Sequence, residues 1–120
     1  MCYYLSHNEQ PRRATRNMRV YKVLFRKGDF YIAPIHTDCR YLRGATSPVV
    51  KMTPKGDGCT MQWIEEGYHF YTSQAMAECR VPVYAWEQSF CVCAFVIPKG
   101  TLYYINRKEE IGVAEQIKML

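Results

Sequence analysis

Apolar and polar side chains alternate along most of this chain with a period close to two residues. This alternation, together with many β-branched and aromatic residues, is typical of strands rather than helices. Residues 90–97 are apolar on both faces, which predicts an interior strand. Residues 36–48 have no clear period and are predicted as a loop. We predict the other strands over residues 19–26, 30–35, 59–64 and 101–105, shorter ones over 49–52 and 83–86, and a last one over 113–119.

The period changes to that of a helix only once. Residues 74–80 favour a helix, Thr72 or Ser73 can cap its first turn, and Pro82 is expected to end it. We therefore predict one principal helix over about 73–80. The predicted fold class is α+β, with a mixed, mostly antiparallel sheet of about six strands.

A chain of 120 residues is long enough for one compact domain and too short for two. Its aromatic content of 14% excludes a disordered chain. Residues 1–18 have no apolar period, and Pro11 would break a helix there, so we predict a basic N-terminal arm whose order depends on docking. Residues 19–120 are predicted to form a single α+β domain.

Charge is distributed unevenly between the two halves of the chain. Residues 1–55 hold eleven Lys and Arg against three acids, a net +8, whereas residues 56–120 hold five against eight, a net −3. Clustered cations attract phosphates, so this asymmetry favours an anionic partner for the first half. A solvated basic face without a ligand explains the same composition, and the sequence leaves both open.

Six cysteines would suit a three-disulfide secreted domain, but the first residues lack the basic and apolar regions of a secretory signal. We therefore expect a cytoplasmic protein with reduced thiols. Cys91 and Cys93 are two residues apart, which places both on one face of a strand. No C-x-x-C pair occurs, so neither a metal nor a cofactor is predicted. The longest apolar run, residues 90–98, is too short for a membrane helix, and no membrane partner is expected.

The densest group of polar and aromatic residues precedes the predicted helix. Tyr68, His69 and Ser73 lie where unpaired helix amides would attract a phosphate or carboxylate. Capping by Ser73 and a satisfied His69 explain the same residues without a ligand. The usual phosphate-loop, dinucleotide-binding and metallohydrolase motifs are absent, which favours a binding protein over an enzyme of known pattern.

A second candidate group interleaves bases and aromatics on the strand 19–26. Arg19 and Lys22 could hold phosphates while neighbouring Tyr and Phe rings stack on bases. Alternation instead places Tyr21 and Phe25 on one face and the charges on the other, which is typical of a half-buried strand. Glu115 lies among the apolar residues of the last predicted strand, so it is either exposed at an edge or functional.

Four segments carry a resemblance to known families: 20–23, 67–73, 95–101 and 114–117. Together they resemble small uncharacterised proteins of gut Bacteroidetes and their phages. More distantly, they are similar to the mono-ADP-ribosyltransferase fold. That resemblance implies an NAD cleft lined by a basic residue of the first strand, a Ser/Thr motif and a late Glu.

Carried over residue by residue, the resemblance places Lys22, Ser73 and Glu115 at that NAD cleft, and Lys99 in the late Ile-Pro-Lys-Gly turn. Lys22 stands where the transferase family has Arg. Gln116 stands where its Glu directly precedes the last apolar run. These departures favour a retained nucleotide-sized cleft over transferase activity.

The function predicted from these observations is non-enzymatic binding of an anionic ligand, such as a nucleotide, by a phage or prophage protein. Sequestering a nucleotide immune signal to counter host defence would suit its size and basicity. The alternatives are an NAD-using enzyme with Glu115 as its catalytic residue, and an inhibitor that binds a host protein. Nucleic acid and a homo-oligomer are further candidate partners. The predicted ligand-binding residues are Arg19, Lys22, Tyr68, His69, Ser73 and Lys99.

Overall fold

A computed structural model describes residues 2–33, 40–57, 61–84 and 90–120. In these residues it confirms an α+β fold with one helix, and every strand pairing is antiparallel. Six strands span three residues or more and five span two. The elements are β1 (Tyr3–Tyr4), β2 (Arg12–Arg13), β3 (Met18–Lys27), β4 (Phe30–Ile32), β5 (Arg40–Tyr41), β6 (Trp63–Ile64), β7 (Tyr68–Tyr71), α1 (Gln74–Tyr84), β8 (Phe90–Ile97), β9 (Leu102–Asn106), β10 (Ile111–Ala114) and β11 (Lys118–Met119).

The main sheet is built on the long β3–β8 pair. Its strand order is β11-β8-β3-β7-β10-β9-β2, with β4 added to β3 and β5 added to β4. Eight residue pairs join β3 to β8, from Met18 opposite Ile97 to Phe25 opposite Phe90. Strands β1 and β6 form a separate two-stranded sheet. The predicted interior strand 90–97 is therefore confirmed, because β8 has a neighbour on each side.

The connection between β10 and β11 requires the main sheet to curl. Residues 115–117 join these two strands, which lie four positions apart in the strand order. Four strand spacings in a flat sheet amount to about 19 Å. The four residue steps from Ala114 to Lys118 can reach only about 14 Å. The sheet must therefore bend until its two flanks approach each other.

Three apolar clusters cover the two faces of this curled sheet. The concave face holds the largest cluster, which includes Val20, Leu24, Phe70 and Phe95. On the convex side, α1 packs against β3 and β8 through Ala77. The small β1–β6 sheet covers the convex side of β9 and β10. Both faces are thus covered over much of the sheet, which accounts for its many buried aromatic residues.

Several predicted strands require correction. Strand 19–26 was expected to be half-buried, but Val20 and Leu24 are at most 1% exposed on the face assigned to charges. Residues 49–52 are not a strand, although the amide of Val50 donates to the carbonyl of Glu115. The predicted strand 113–119 is two strands on opposite flanks, because the chain leaves the sheet at residues 115–117.

The helix continues further than predicted. Pro82 lies inside α1 rather than ending it, and residues 83–84 are helical instead of forming a strand. A proline removes one helical hydrogen bond, and contacts of α1 with β3 and β8 offset this loss. Strand β5 lies within the predicted loop 36–48 because its backbone pairs with β4. The predictions for residues 34–39, 58–60 and 85–89 lie outside the described residues.

Residues 2–18, predicted as an arm, dock on the rest of the same chain. Tyr3 is 2% exposed and packs against Tyr104, and Ala14 is buried in the concave cluster. Strand β2 pairs with β9, which adds a short edge to the main sheet. Backbone pairing and the burial of Tyr3 and Ala14 thus order this segment, although its sequence has no apolar period.

Candidate functional site

A cleft of about 230 Å³ lies where residues 12–19 run beside the turn that joins β8 to β9. The backbone sets this geometry, because the amide of Ala14 donates to the carbonyl of Thr101 and that of Gly100 donates to Ala14. The amide of Lys99 donates to the Asn17 side chain. We call this site the basic cleft; it is lined by Arg13, Val49, Lys99, Gly100, Thr101, Leu102, Glu115 and Gln116.

Two cations lie at the basic cleft. Arg13 and Lys99 are exposed, and one guanidinium nitrogen of Arg13 donates to the carbonyl of Gly100 at 2.6 Å. That bond orients the guanidinium and leaves its other donors for a ligand. Among the described residues, neither cation has a carboxylate within 4.0 Å. The cleft therefore offers charge that no internal ion pair neutralises.

Glu115 lines the same cleft, but the chain uses it to hold a neighbouring segment. Its Oε2 accepts from the amide of Met52 at 3.0 Å, and its own amide and carbonyl are bonded to Leu102 and Val50. Burial, and to a smaller degree the carboxylates of Glu9 and Glu115, raise the pKa of Tyr104. The hydrogen bonds of Glu115 thus connect residues 50–52 to the sheet.

Lys22, Tyr68 and His69 do not line the basic cleft, and each is engaged elsewhere in the fold. The Lys22 ammonium donates to the carbonyl of His69 and lies 5.6 Å from the centre of the Tyr41 ring. The Tyr68 hydroxyl donates to the carbonyl of Pro48, and the ring nitrogen Nε2 of His69 lies 3.3 Å from the carbonyl of Ile64. Tyr68 and His69 are buried on opposite faces of β7, whereas Lys22 is half-buried.

Ser73 caps the helix, as one of the two sequence interpretations held. Its Oγ accepts from the amide of Met76 at 3.1 Å, and its carbonyl accepts from the amide of Ala77. The serine thus satisfies one of the helix amides that an anion would have used. Capping accounts for the residue without a ligand.

We expect Ser73→Ala to lower the free energy of unfolding by about 1 kcal/mol, the usual cost of losing an N-cap. Urea denaturation measures this loss. Anion binding at the basic cleft should remain unchanged. A weaker affinity in a folded Ser73→Ala protein would instead place Ser73 at a ligand site.

Ser73 and Glu115 do not share one cleft. In the β7–β10 ladder Tyr71 lies opposite Ile111 and Tyr68 opposite Ala114, so the two residues continue from opposite ends. Their separation along the strands is roughly 20 Å. The transferase resemblance places Lys22, Ser73 and Glu115 at one cleft. In the structure, Lys22 donates to the carbonyl of His69, Ser73 caps the helix, and Glu115 accepts from the amide of Met52.

Arg19 lies on the convex face of β3, and its side chain is exposed. Its register partner on β8 is Val96, which also lies opposite Lys118 on β11. Side chains opposite each other share one face of a sheet, so Arg19 and Lys118 flank Val96. Neither Arg19 nor Lys118 lines the basic cleft.

The structure thus brings Lys99 and Glu115 together from the predicted residues and adds Arg13 and Thr101. In the sequence, Arg13 is distinguished only as one of the eleven Lys and Arg residues of the first half. Arg13 belongs to a basic stretch before the first long strand, which indicated a cationic surface there. No local sequence pattern shows which turn of the fold this stretch contacts. The pairing of β2 with β9 decides it.

Comparison with protein-family models, with curated proteins and with solved structures found no match to this chain. Within the residues that the structure describes, no helix has both the length and the apolar character needed to cross a bilayer. The interpretation of the site therefore depends on its own geometry and charge.

Proposed function

We propose that this protein binds a phosphate-bearing anion, of the nucleotide class, at the basic cleft. The observation that carries the proposal is the meeting of Arg13 and Lys99 at one cleft, where both are exposed and lack a carboxylate partner among the described residues. Guanidinium and ammonium groups are the usual protein partners of phosphate oxygens. The Thr101 hydroxyl supplies a further donor.

Side chains, not backbone amides, are the donors in this proposal. The amides of Lys99, Gly100 and Thr101 are already bonded to Asn17, Ala14 and Pro98. The turn therefore lacks the free amides of a phosphate-binding nest. Affinity should then depend on two cationic side chains and should fall with salt, because such interactions are screened.

The size of the cleft limits which part of a ligand it takes. Pockets that enclose whole small molecules usually measure about 300–1,000 Å³. The basic cleft, at about 230 Å³, suits a phosphate or diphosphate group better than an entire nucleotide. The base and sugar would lie outside it.

The side chains of the cleft support binding of the anion without catalysis. Among the described residues, Glu115 is the one carboxylate that lines the cleft, and one of its oxygens accepts from the amide of Met52. A general base needs a lone pair directed at the reacting proton, and this contact directs Glu115 toward the chain. A protein that holds a nucleotide without changing it would sequester it, the role expected for a phage protein that removes a host signal.

Thermal denaturation with a panel of anions tests the proposal. The panel comprises inorganic pyrophosphate, ADP, NAD, a cyclic dinucleotide and a short single-stranded oligonucleotide. A ligand of the native state at 100 times its Kd adds about 2.7 kcal/mol, which raises Tm by roughly 10 °C in a domain of this size. We expect ADP and pyrophosphate to raise Tm and the effect to shrink as salt increases.

The panel also separates the proposal from its alternatives. No shift with any phosphate compound would contradict it and favour a protein partner. A shift with the oligonucleotide alone would assign the basic surface to nucleic acid rather than to a nucleotide. Consumption of NAD during incubation would overturn the non-enzymatic form of the proposal.

A further inference from the structure

The basic cleft contains a carboxylate as well as its two cations. Glu115 lines the cleft together with Arg13 and Lys99, yet its carboxylate oxygens lie more than 4.0 Å from the side-chain nitrogens of both. These opposite charges therefore share the cleft without forming an ion pair. An anion that binds there must be compatible with the carboxylate as well as with the cations.

Glu115 is held in place and keeps one carboxylate oxygen for a ligand. Its Oε2 accepts from the amide of Met52 at 3.0 Å, and its backbone amide and carbonyl are bonded to Leu102 and Val50. Among the described residues, its other oxygen, Oε1, has no hydrogen-bond partner. An ionised carboxylate accepts hydrogen bonds and donates none, so a ligand beside Oε1 must present a donor.

Gln116 adds a second acceptor to the lining of the cleft. Its Nε2 donates to the carbonyl of Ser47 at 3.0 Å, and its side-chain oxygen has no partner within the described part of the chain. The cleft thus combines the donors of Arg13 and Lys99 with the acceptors of Glu115 and Gln116. A fully deprotonated anion satisfies the donors but has no hydrogen for the acceptors.

We infer that Glu115 makes the basic cleft selective for a phosphate group that carries a proton, an inference that rests on the proposed phosphate site. The P–OH group of the ligand donates to Oε1 of Glu115, while Arg13 and Lys99 bind its charged oxygens. The proton stays on the ligand, so Glu115 acts in binding and not as a base. An unprotonated anion is instead repelled by the carboxylate, because like charges destabilise each other at close range.

This selectivity defines the class of ligand. The second pKa of a phosphate monoester is about 6, so near that pH about half of the molecules keep a proton on the terminal phosphate. The internal phosphates of NAD, of a cyclic dinucleotide and of an oligonucleotide have no such proton. The expected ligand is therefore a compound with a terminal phosphate, such as a linear nucleotide, rather than a phosphodiester.

Isothermal titration of the full-length chain with inorganic phosphate and with sulfate, at pH 6 and constant ionic strength, tests this inference. The two anions have the same tetrahedral shape, but at this pH phosphate carries at least one proton and sulfate carries none. Sulfate also has the larger negative charge, so a cleft that responds to charge alone would prefer it. We expect phosphate to bind at least about tenfold more tightly, as one hydrogen bond to a charged group predicts.

Glu115→Gln isolates the role of the carboxylate. Glutamine has the same shape, and its carbonyl oxygen can still accept from the amide of Met52, so the fold should be retained. The variant should bind sulfate more tightly than the parent chain does and lose most of the preference for phosphate, because the repelling charge is gone. Loss of a structural contact alone would not strengthen sulfate binding. Glu109→Gln removes the same charge from an exposed residue in the turn beyond the far end of β9 and should leave both affinities unchanged.

Two outcomes would overturn the inference: sulfate binding to the parent chain as tightly as phosphate, or an unchanged preference in a folded Glu115→Gln protein. Either result would leave the phosphate site itself intact, because phosphate would still bind. Absence of binding by phosphate, pyrophosphate and ADP would instead contradict the phosphate site and the inference together. If Glu115→Gln did not fold, the comparison of phosphate with sulfate in the parent chain would still decide.

Discussion

Gly112→Ala is expected to lower the free energy of unfolding by about 3 kcal/mol, at the upper end of the usual cost of overpacking. A Cβ atom at Gly112 would lie 2.3 Å from Cζ of Phe70 and 2.5 Å from the carbonyl oxygen of Tyr104. The Phe70 ring is 1% exposed within the concave cluster, and the carbonyl belongs to the paired strand β9. Neither neighbour is the free end of a flexible side chain, so strands would have to move.

Urea denaturation of parent and variant measures this loss. Gly44→Ala is a suitable control, because Gly44 has a φ of +80° and no atom near the position of an added Cβ. Its cost should be about 1 kcal/mol from backbone conformation alone. Phe70→Leu should cost less in the Gly112→Ala background than in the parent chain, because it removes the ring atoms that the added Cβ would contact. A loss in Gly112→Ala no larger than that in Gly44→Ala would show that the curled sheet is not tightly packed at this point.

Arg13→Ala/Lys99→Ala is expected to weaken phosphate binding at least about 100-fold. Each replacement removes a hydrogen bond to a charged group, worth about 1.5–3 kcal/mol, and about 1.4 kcal/mol corresponds to a factor of ten in Kd. Isothermal titration with ADP at constant ionic strength measures the change. Both side chains are exposed, so the fold should be retained, although Arg13 also donates to the turn at Gly100.

Arg107→Ala/Lys108→Ala is the matched control for that loss. It removes the same charge from two exposed residues in the turn beyond the far end of β9. We expect it to change the affinity by less than a factor of about three, because exposed charges farther apart than about 8–10 Å are largely screened at physiological salt. Equal weakening in both double variants would show that ADP responds to net charge and would contradict a site at the basic cleft.

Local features of the sequence predicted the elements that depend on neighbouring residues. The apolar run 90–97 predicted an interior strand, and β8 is one. Thr72 or Ser73 was the expected cap, with Ser73 also a candidate ligand residue, and the Oγ of Ser73 accepts a helix amide. The spacing of Cys91 and Cys93 predicted a shared face, and their sulfurs are in contact. Each of these follows from backbone periodicity within a few residues.

The candidate sites depended on contacts between distant parts of the chain. Lys22 was a candidate phosphate ligand, yet its side chain is half-buried, donates to the carbonyl of His69 and lies near the Tyr41 ring. In the sequence, Glu115 lies in the middle of the predicted strand 113–119. In the structure, the chain leaves the sheet at that residue and the Glu115 carboxylate accepts from the amide of Met52. Neither outcome is encoded by nearby residue types alone, because the position of a strand in the sheet decides which of its faces is covered.

From its sequence alone, this chain is a basic, β-rich α+β domain with one capped helix and two thiols on one strand face. Local periodicity and capping chemistry suffice for those conclusions. Tertiary structure decided that the sheet curls, that Lys22 binds the carbonyl of His69, and that Arg13 meets Lys99 across the β2–β9 edge. The physical reason is that strand order and register arise from backbone pairing between segments far apart in the chain, and only this pairing determines which charges lie together.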